Sequence, residues 1–148
     1  MTTAAVTKGD STVPPRARIV VAEDDFEMRR LVSDCLRKAG HEVHEVIDGS
    51  TLLRRVESSL MVRTTVDLVV TDVRMPGYSG LEIVSCLREA GVHVPVVLMT
   101  AFGNLETQQR AEQLGATLID KPFKMQELKA LVDRLLHEAQ PRSPGEDS

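Results

Sequence analysis

Apolar and polar positions along this chain alternate between two periods, and the alternation repeats five times. Ile19-Val20-Val21-Ala22 is a short apolar run suited to a strand buried on both faces. Met28, Leu31, Val32, Cys35, Leu36 and Ala39 then recur at three- and four-residue steps, the spacing of one helix face. Gly40 stands where such a helix stops. A second strand is predicted around Glu42 to Val46, and a second helix on Leu52, Leu53, Val56 and Leu60. Val66 to Thr71 reads as a third strand. After Met75-Pro76-Gly77, a third helix carries Leu81, Val84, Leu87 and Ala90 and stops at Gly91. Val94 to Met99 is the fourth strand, and a fourth helix runs from about Asn104 to Leu114, ended by Gly115. Thr117 to Ile119 is a short fifth strand. The fifth helix carries Met125, Leu128, Leu131, Val132, Leu135 and Leu136.

Five strands alternating with five helices predict an α/β fold, a doubly wound parallel sheet with helices on both faces. Periodicity leaves the strand order open. It does place any site beyond the carboxyl ends of the strands, as in every sheet of this kind. The flanks differ from this block. Residues 1–17, with Pro14-Pro15, and 139–148, with Pro141, Pro144 and Gly145, have no periodicity and are predicted to be disordered tails around a domain at 18–138.

Composition narrows the function classes. The chain has 148 residues, enough for one domain, with 27% charged and 42% hydrophobic residues, the balance of a soluble globular protein. The net charge is −4, and the only aromatics are Phe26, Tyr78, Phe102 and Phe123, so neither a basic face nor a stacking platform for direct nucleic-acid contact is expected. No apolar run reaches the ~20 residues that span a bilayer. The polar start lacks a secretory signal, which predicts a cytoplasmic protein. Cys35 and Cys86 form no metal or redox motif. Each falls in an apolar helical pattern and is expected to be a reduced, buried filler.

The chemistry is at the strand ends. Strand one ends in Glu23-Asp24-Asp25, strand three in Asp72 and strand four in Thr100-Ala101, while strand five runs into Asp120-Lys121-Pro122-Phe123. Singly, each has an ordinary reading: Asp25 suits a helix N-cap, and a lysine before proline suits a solvated loop. Converging, the carboxylates would repel one another unless a cation sat among them. Oxygen ligands on a partly open site suit Mg²⁺. Lys121 and Thr100 would supply a charge and a hydroxyl to phosphoryl oxygens. No strand is followed by a glycine-rich nucleotide fingerprint.

Over about residues 18–138 the chain resembles the receiver domains of two-component response regulators. The resemblance is carried by Val21-Ala22-Glu23-Asp24-Asp25, Val70-Thr71-Asp72-Val73-Arg74-Met75-Pro76-Gly77, Met99-Thr100-Ala101 and Asp120-Lys121-Pro122-Phe123. It implies a flavodoxin-like strand order of 2-1-3-4-5. It implies that Asp72 is the phosphoacceptor, and that Glu23, Asp24, Asp72 and the backbone carbonyl of Arg74 hold Mg²⁺. By the same resemblance Thr100 hydrogen-bonds the phosphoryl group, Lys121 pairs with one of its oxygens, and the peptide before Pro122 is cis. A carboxylate can attack phosphorus to give an acyl phosphate, and such transfer needs mainly positioning and charge neutralisation.

Two features depart from the family pattern. Leu118 stands where an aromatic usually reports activation, and a leucine presents neither a hydroxyl nor a flat ring for the threonine–aromatic coupling. The span from Leu53 to Val66 is a few residues longer than the family norm, predicting either a longer second helix or an extended loop from Ser58 to Thr65. His41, His44, His93 and His137 lie away from the strand ends and are expected to be solvated or packed. The fourth helix, with Gln108, Gln109, Arg110, Glu112 and Gln113, is unusually polar and reads either as a solvated face or as part of the surface that changes on phosphorylation.

The expected function is that of a stand-alone receiver. It would take phosphate from a histidine kinase or phosphotransfer protein and signal to an unknown downstream protein by contact. It would catalyse no reaction beyond its own phosphorylation and dephosphorylation. A haloacid-dehalogenase-type phosphatase needs Asp-x-Asp, and Asp72-Val73-Arg74 lacks the second acid. The remaining alternatives are a receiver-fold interaction module switching atypically through Leu118, and a receiver fragment of a transcriptional regulator.

Overall fold

The fold is given by a computed structural model that describes residues 16–61 and 65–139. Five strands, β1 (Arg18–Ala22), β2 (Glu42–Val46), β3 (Leu68–Asp72), β4 (Val96–Thr100) and β5 (Thr117–Asp120), form one sheet in the order β2-β1-β3-β4-β5. All neighbours pair in parallel, as helical crossovers require. The helices are α1 (Phe26–Lys38), α2 (Gly49–Met61), α3 (Gly80–Glu89), α4 (Leu105–Gln113) and α5 (Met125–Ala139). The expected fold class and strand order are both present.

Alternate residues of each strand face opposite layers. Ile19 and Val21 pack with Leu68, Val70, Val97 and Met99 under α1 and α5, through Val32, Leu36, Leu128 and Val132. Val20 and Ala22 pack with Val69, Val96 and Leu98 under α2, α3 and α4, through Leu52, Val56, Ile83, Leu87 and Ala111. All five residues of β3 and of β4 are buried. Burying a Leu, Ile or Val side chain contributes about 1.5–3 kcal/mol each, so these two layers hold the sheet.

Local signals fix the helix starts. Asp25 caps α1, its carboxylate accepting from the Met28 N–H at 2.8 Å. Ser79 and Glu82 form a reciprocal capping box at α3, and the Asn104 side chain accepts from the Thr107 N–H at α4. Gly80 is needed for packing: a Cβ there would lie 2.6 Å from the Asp72 carbonyl oxygen and 2.9 Å from Leu98. The start of α3 therefore rests directly on the end of β3.

Several expectations change in detail. The longer span after Leu53 is helical at least as far as Met61, so Ser58 belongs to α2 and not to a loop; 62–64 lie outside the described residues. The tails expected at 1–17 and 139–148 lie mostly outside the described residues, but Ala17 is buried in the core and Ala139 is helical. Cys86 is exposed, which corrects its reading as buried filler. The buried stripe of α3 is Gly80, Ile83, Val84 and Leu87. At 3.6 residues per turn, Cys86 lies roughly 110° from the centre of that stripe. Cys35 is half-buried, and burial pushes its thiol pKa up. His41 is buried, accepts the Ala17 N–H at Nδ1 and is held below its ordinary pKa by that burial.

Candidate functional site

The sheet brings the sequence-predicted residues to one end. Ala22 pairs with Thr71 in register, so Glu23 and Asp24 emerge beside Asp72, the last residue of β3. Asp72 pairs with Met99 and Thr100 with Asp120, which sets Thr100 and Lys121 on the other flank. Ligand oxygens of Glu23, Asp24 and Asp72 all lie within 4.8 Å of one another. Glu23 is 1% exposed and Asp72 8%, while Asp24 faces solvent.

Lys121 closes the cluster. Its Nζ donates to Asp72 Oδ2 at 2.7 Å and to Glu23 Oε1 at 3.1 Å. The cis Lys121–Pro122 peptide, expected from the resemblance, is present. Burial by itself would lower the ammonium pKa, but the bonds to Asp72 and Glu23 outweigh it, so Lys121 stays firmly charged. Glu23 moves the other way. Burial, the main cause, together with the neighbouring Asp72 charge, raises its carboxyl from 4.5 to about 7 against the opposing pull of the Asp25 N–H and Lys121.

Backbone donors complete the geometry. The Arg74 N–H donates to Asp72 Oδ1 at 3.0 Å, and the Phe102 N–H donates to Thr100 Oγ1 at 3.2 Å. Thr100 is buried at 4% exposure, and the Lys121 N–H donates to its carbonyl at 2.8 Å. Arg74 sits exposed in the turn two residues after Asp72, and its guanidinium lies 5.3 Å from the centre of the Phe102 ring.

Three carboxylates with mixed burial form an oxygen-only donor set. Mg²⁺ suits such a set, since it takes one or two carboxylates and keeps several waters. The neighbouring carboxylates of Glu23, Asp24 and Asp72 give a cation a reason to bind, and Asp24 in solvent gives it a path in. Asp25 serves as the α1 cap and lies outside the cluster.

Sequence reasoning missed two supports. Gly80 carried only a capping signal, in Ser79-Gly80-Leu81-Glu82, which places it at the first turn of α3 without showing what it touches. Arg29 donates to the Glu23 carbonyl and to Glu45, sixteen residues on, a distance at which no local pattern is visible.

Comparison with known proteins agrees with this geometry. The family model for the response regulator receiver domain matches residues 19–133. The response regulator protein FleR of Pseudomonas aeruginosa is 33% identical over 132 residues, covering 88% of this chain and 26% of that protein. The sporulation initiation phosphotransferase F of Bacillus subtilis is 28% identical over 120 residues, covering 80% of this chain and 93% of that protein. The solved structure of the Vibrio cholerae chemotaxis protein CheY4 aligns with a TM-score of 0.72 at 27% identity, covering 82% of this chain and 99% of that one. The chain spans about a quarter of the length of FleR.

Proposed function

The chain belongs to the response regulator receiver domain family, and we propose that Asp72 is its phosphoacceptor, taking a phosphoryl group from a histidine kinase or phosphotransfer protein in a Mg²⁺-dependent reaction. One observation carries the assignment. Asp72 is the carboxylate that lies in the acidic cluster, ends a central strand and is held by Lys121.

The step needs little covalent help from the protein. A carboxylate oxygen of Asp72 attacks phosphorus, a P–O bond forms, and the bond from phosphorus to the donor nitrogen breaks. Its electron pair leaves with the donor imidazole. The transfer then depends on positioning and on charge neutralisation. The Arg74 N–H holds Oδ1 of Asp72 and Lys121 holds Oδ2, which fixes the carboxylate at the strand end. Lys121, already shared between Asp72 and Glu23, is placed to follow negative charge onto the phosphoryl oxygens. Among the described residues the Thr100 hydroxyl bonds only as acceptor from the Phe102 N–H, which leaves its proton for a phosphoryl oxygen. Glu23, Asp24, Asp72 and the Arg74 carbonyl would hold Mg²⁺, which when bound supplies positive charge to the transferring group. In this reading the chain catalyses only its own phosphorylation and dephosphorylation, and it signals through protein contacts. Among the described residues no helix is long and apolar enough to cross a membrane.

The test is incubation with a small phosphodonor and Mg²⁺, followed by mapping of the adduct by mass spectrometry. The expected result is one adduct, on Asp72, lost in Asp72→Asn. An adduct on Asp24, or undiminished labelling of Asp72→Asn, overturns the assignment.

A further inference from the structure

We infer that Arg29, clamped by Glu45, is a positioning residue for the cation site: it fixes the backbone of the Glu23–Asp24 pair and thereby sets how tightly that pair binds a divalent cation. The inference rests on the receiver reading of the site. Arg29 lies on α1, and its side chain is 14% exposed. Its Nη1 donates to the Glu23 carbonyl at 3.0 Å, and its Nε to Glu45 Oε1 at 3.0 Å. The second oxygen of Glu45 accepts from Arg37 at 2.9 Å, and Arg37 also donates to the Val43 carbonyl. One carboxylate on β2 thus holds two arginines of α1. The Phe26 ring lies 5.4 Å from the Arg29 guanidinium and covers it.

The consequence is local. Glu23 is held at both ends of its backbone, its N–H on the Val46 carbonyl at 3.1 Å and its carbonyl on Arg29. Its side chain then accepts the Asp25 N–H at 3.0 Å. Asp24 lies between these bonds with its carboxylate in solvent, so the backbone on either side sets its aim. Partners that orient a metal's ligands control affinity without touching the metal.

A second role for Arg29 gives the opposite sign. As a nearby positive charge it repels a divalent cation, so deleting it should tighten binding if charge were all that mattered. If it positions the pair, deleting it should weaken binding. Lysine keeps the charge but not the planar fork that reaches a carbonyl and a carboxylate together.

The experiment uses the full chain and Mg²⁺ alone as the probe. Dissociation constants come from the Mg²⁺ dependence of thermal unfolding for wild type, Arg29→Gln, Arg29→Lys and, as comparator, Arg37→Gln. Both Arg29 variants should bind Mg²⁺ about tenfold more weakly. Arg37→Gln should match wild type. Phosphorylation of Asp72 at saturating Mg²⁺ should stay within about twofold in all, since the reacting atoms are untouched. Tighter or unchanged binding in Arg29→Gln overturns the inference, as does an equal loss in Arg37→Gln, which would reflect general loosening of α1. If Arg29→Gln does not fold, Arg29→Lys decides by the same criterion. A wild-type chain that binds no Mg²⁺ overturns the receiver reading and this inference with it; wild-type binding with unaltered variants overturns this inference alone.

Discussion

The two flanks of the sheet are built differently. On the β2 flank, α1 buries Val32, Ser33 and Leu36 and is laced to the strand by Arg29, Glu45 and Arg37. On the β5 flank, α4 buries only Ala111, and every residue of β5 is half-buried or exposed. The far end of α4 is pinned by Arg88, which donates to the carbonyls of Leu114, Val92 and Val94 at 2.7–2.9 Å. Exposed Phe102 and Leu105 lie at its near end, and the Phe102 N–H donates to Thr100 Oγ1. The acidic pair thus follows β1, which pairs with β2 on the locked flank, while Thr100 ends the fully buried β4 and Lys121 follows the lightly packed β5. Few buried apolar contacts mean a low local opening free energy, so the β5 flank is where a charge change at Asp72 can be transmitted as movement.

The largest effect that tests this contrast is on stability. Leu36→Ala, at a fully buried position of α1, should destabilise by about 2–5 kcal/mol. Leu105→Ala, 67% exposed on α4, should stay within about 0.5 kcal/mol. Denaturant unfolding of both measures it, and comparable losses would erase the difference between the flanks.

A smaller effect concerns the locked site itself. The Glu23 carboxyl titrates near 4.5 unfolded and at about 7 folded. Between those values the folded chain holds a proton that the unfolded chain has released. Raising pH through this window without metal therefore costs stability, at most about 3 kcal/mol at roughly 1.4 kcal/mol per pH unit, and the full loss is reached above pH 7. Glu23→Gln should flatten that slope. Thermal unfolding in chelator at stepped pH reads it, and a wild-type stability that rises over the window would contradict the buried, proton-holding Glu23.

The smallest effect is expected at Leu118. It is half-buried, pairs with Leu98 in register and packs on the layer under α3 and α4. It offers no ring or hydroxyl to follow Thr100. Amide exchange in β5 should change by less than about twofold on phosphorylation, while the α4 amides, in the least-buried helix, change more. A large cooperative change across α4, β5 and α5, matching a Leu118→Tyr variant, would show that the aromatic is dispensable.

The sequence by itself determined the elements and the end of the sheet that carries the chemistry. Apolar periods of two kinds, the cap at Asp25 and the carboxylates following strand-like runs are all local signals, written within one or two turns of chain. Five-for-five alternation left the strand order open, and the family resemblance carried by the motif around Asp72 implied one order. The exposure of Cys86 lay at the edge of legibility, because a three-residue step alone does not centre a helix stripe. What only the tertiary structure decided is which distant charges meet. Lys121 reaches Glu23 across 98 residues and Asp72 across 49, and Arg29 finds Glu45 on the neighbouring strand. Such pairs leave no periodic trace in the chain, because their geometry exists only once parallel register sets the strand ends side by side.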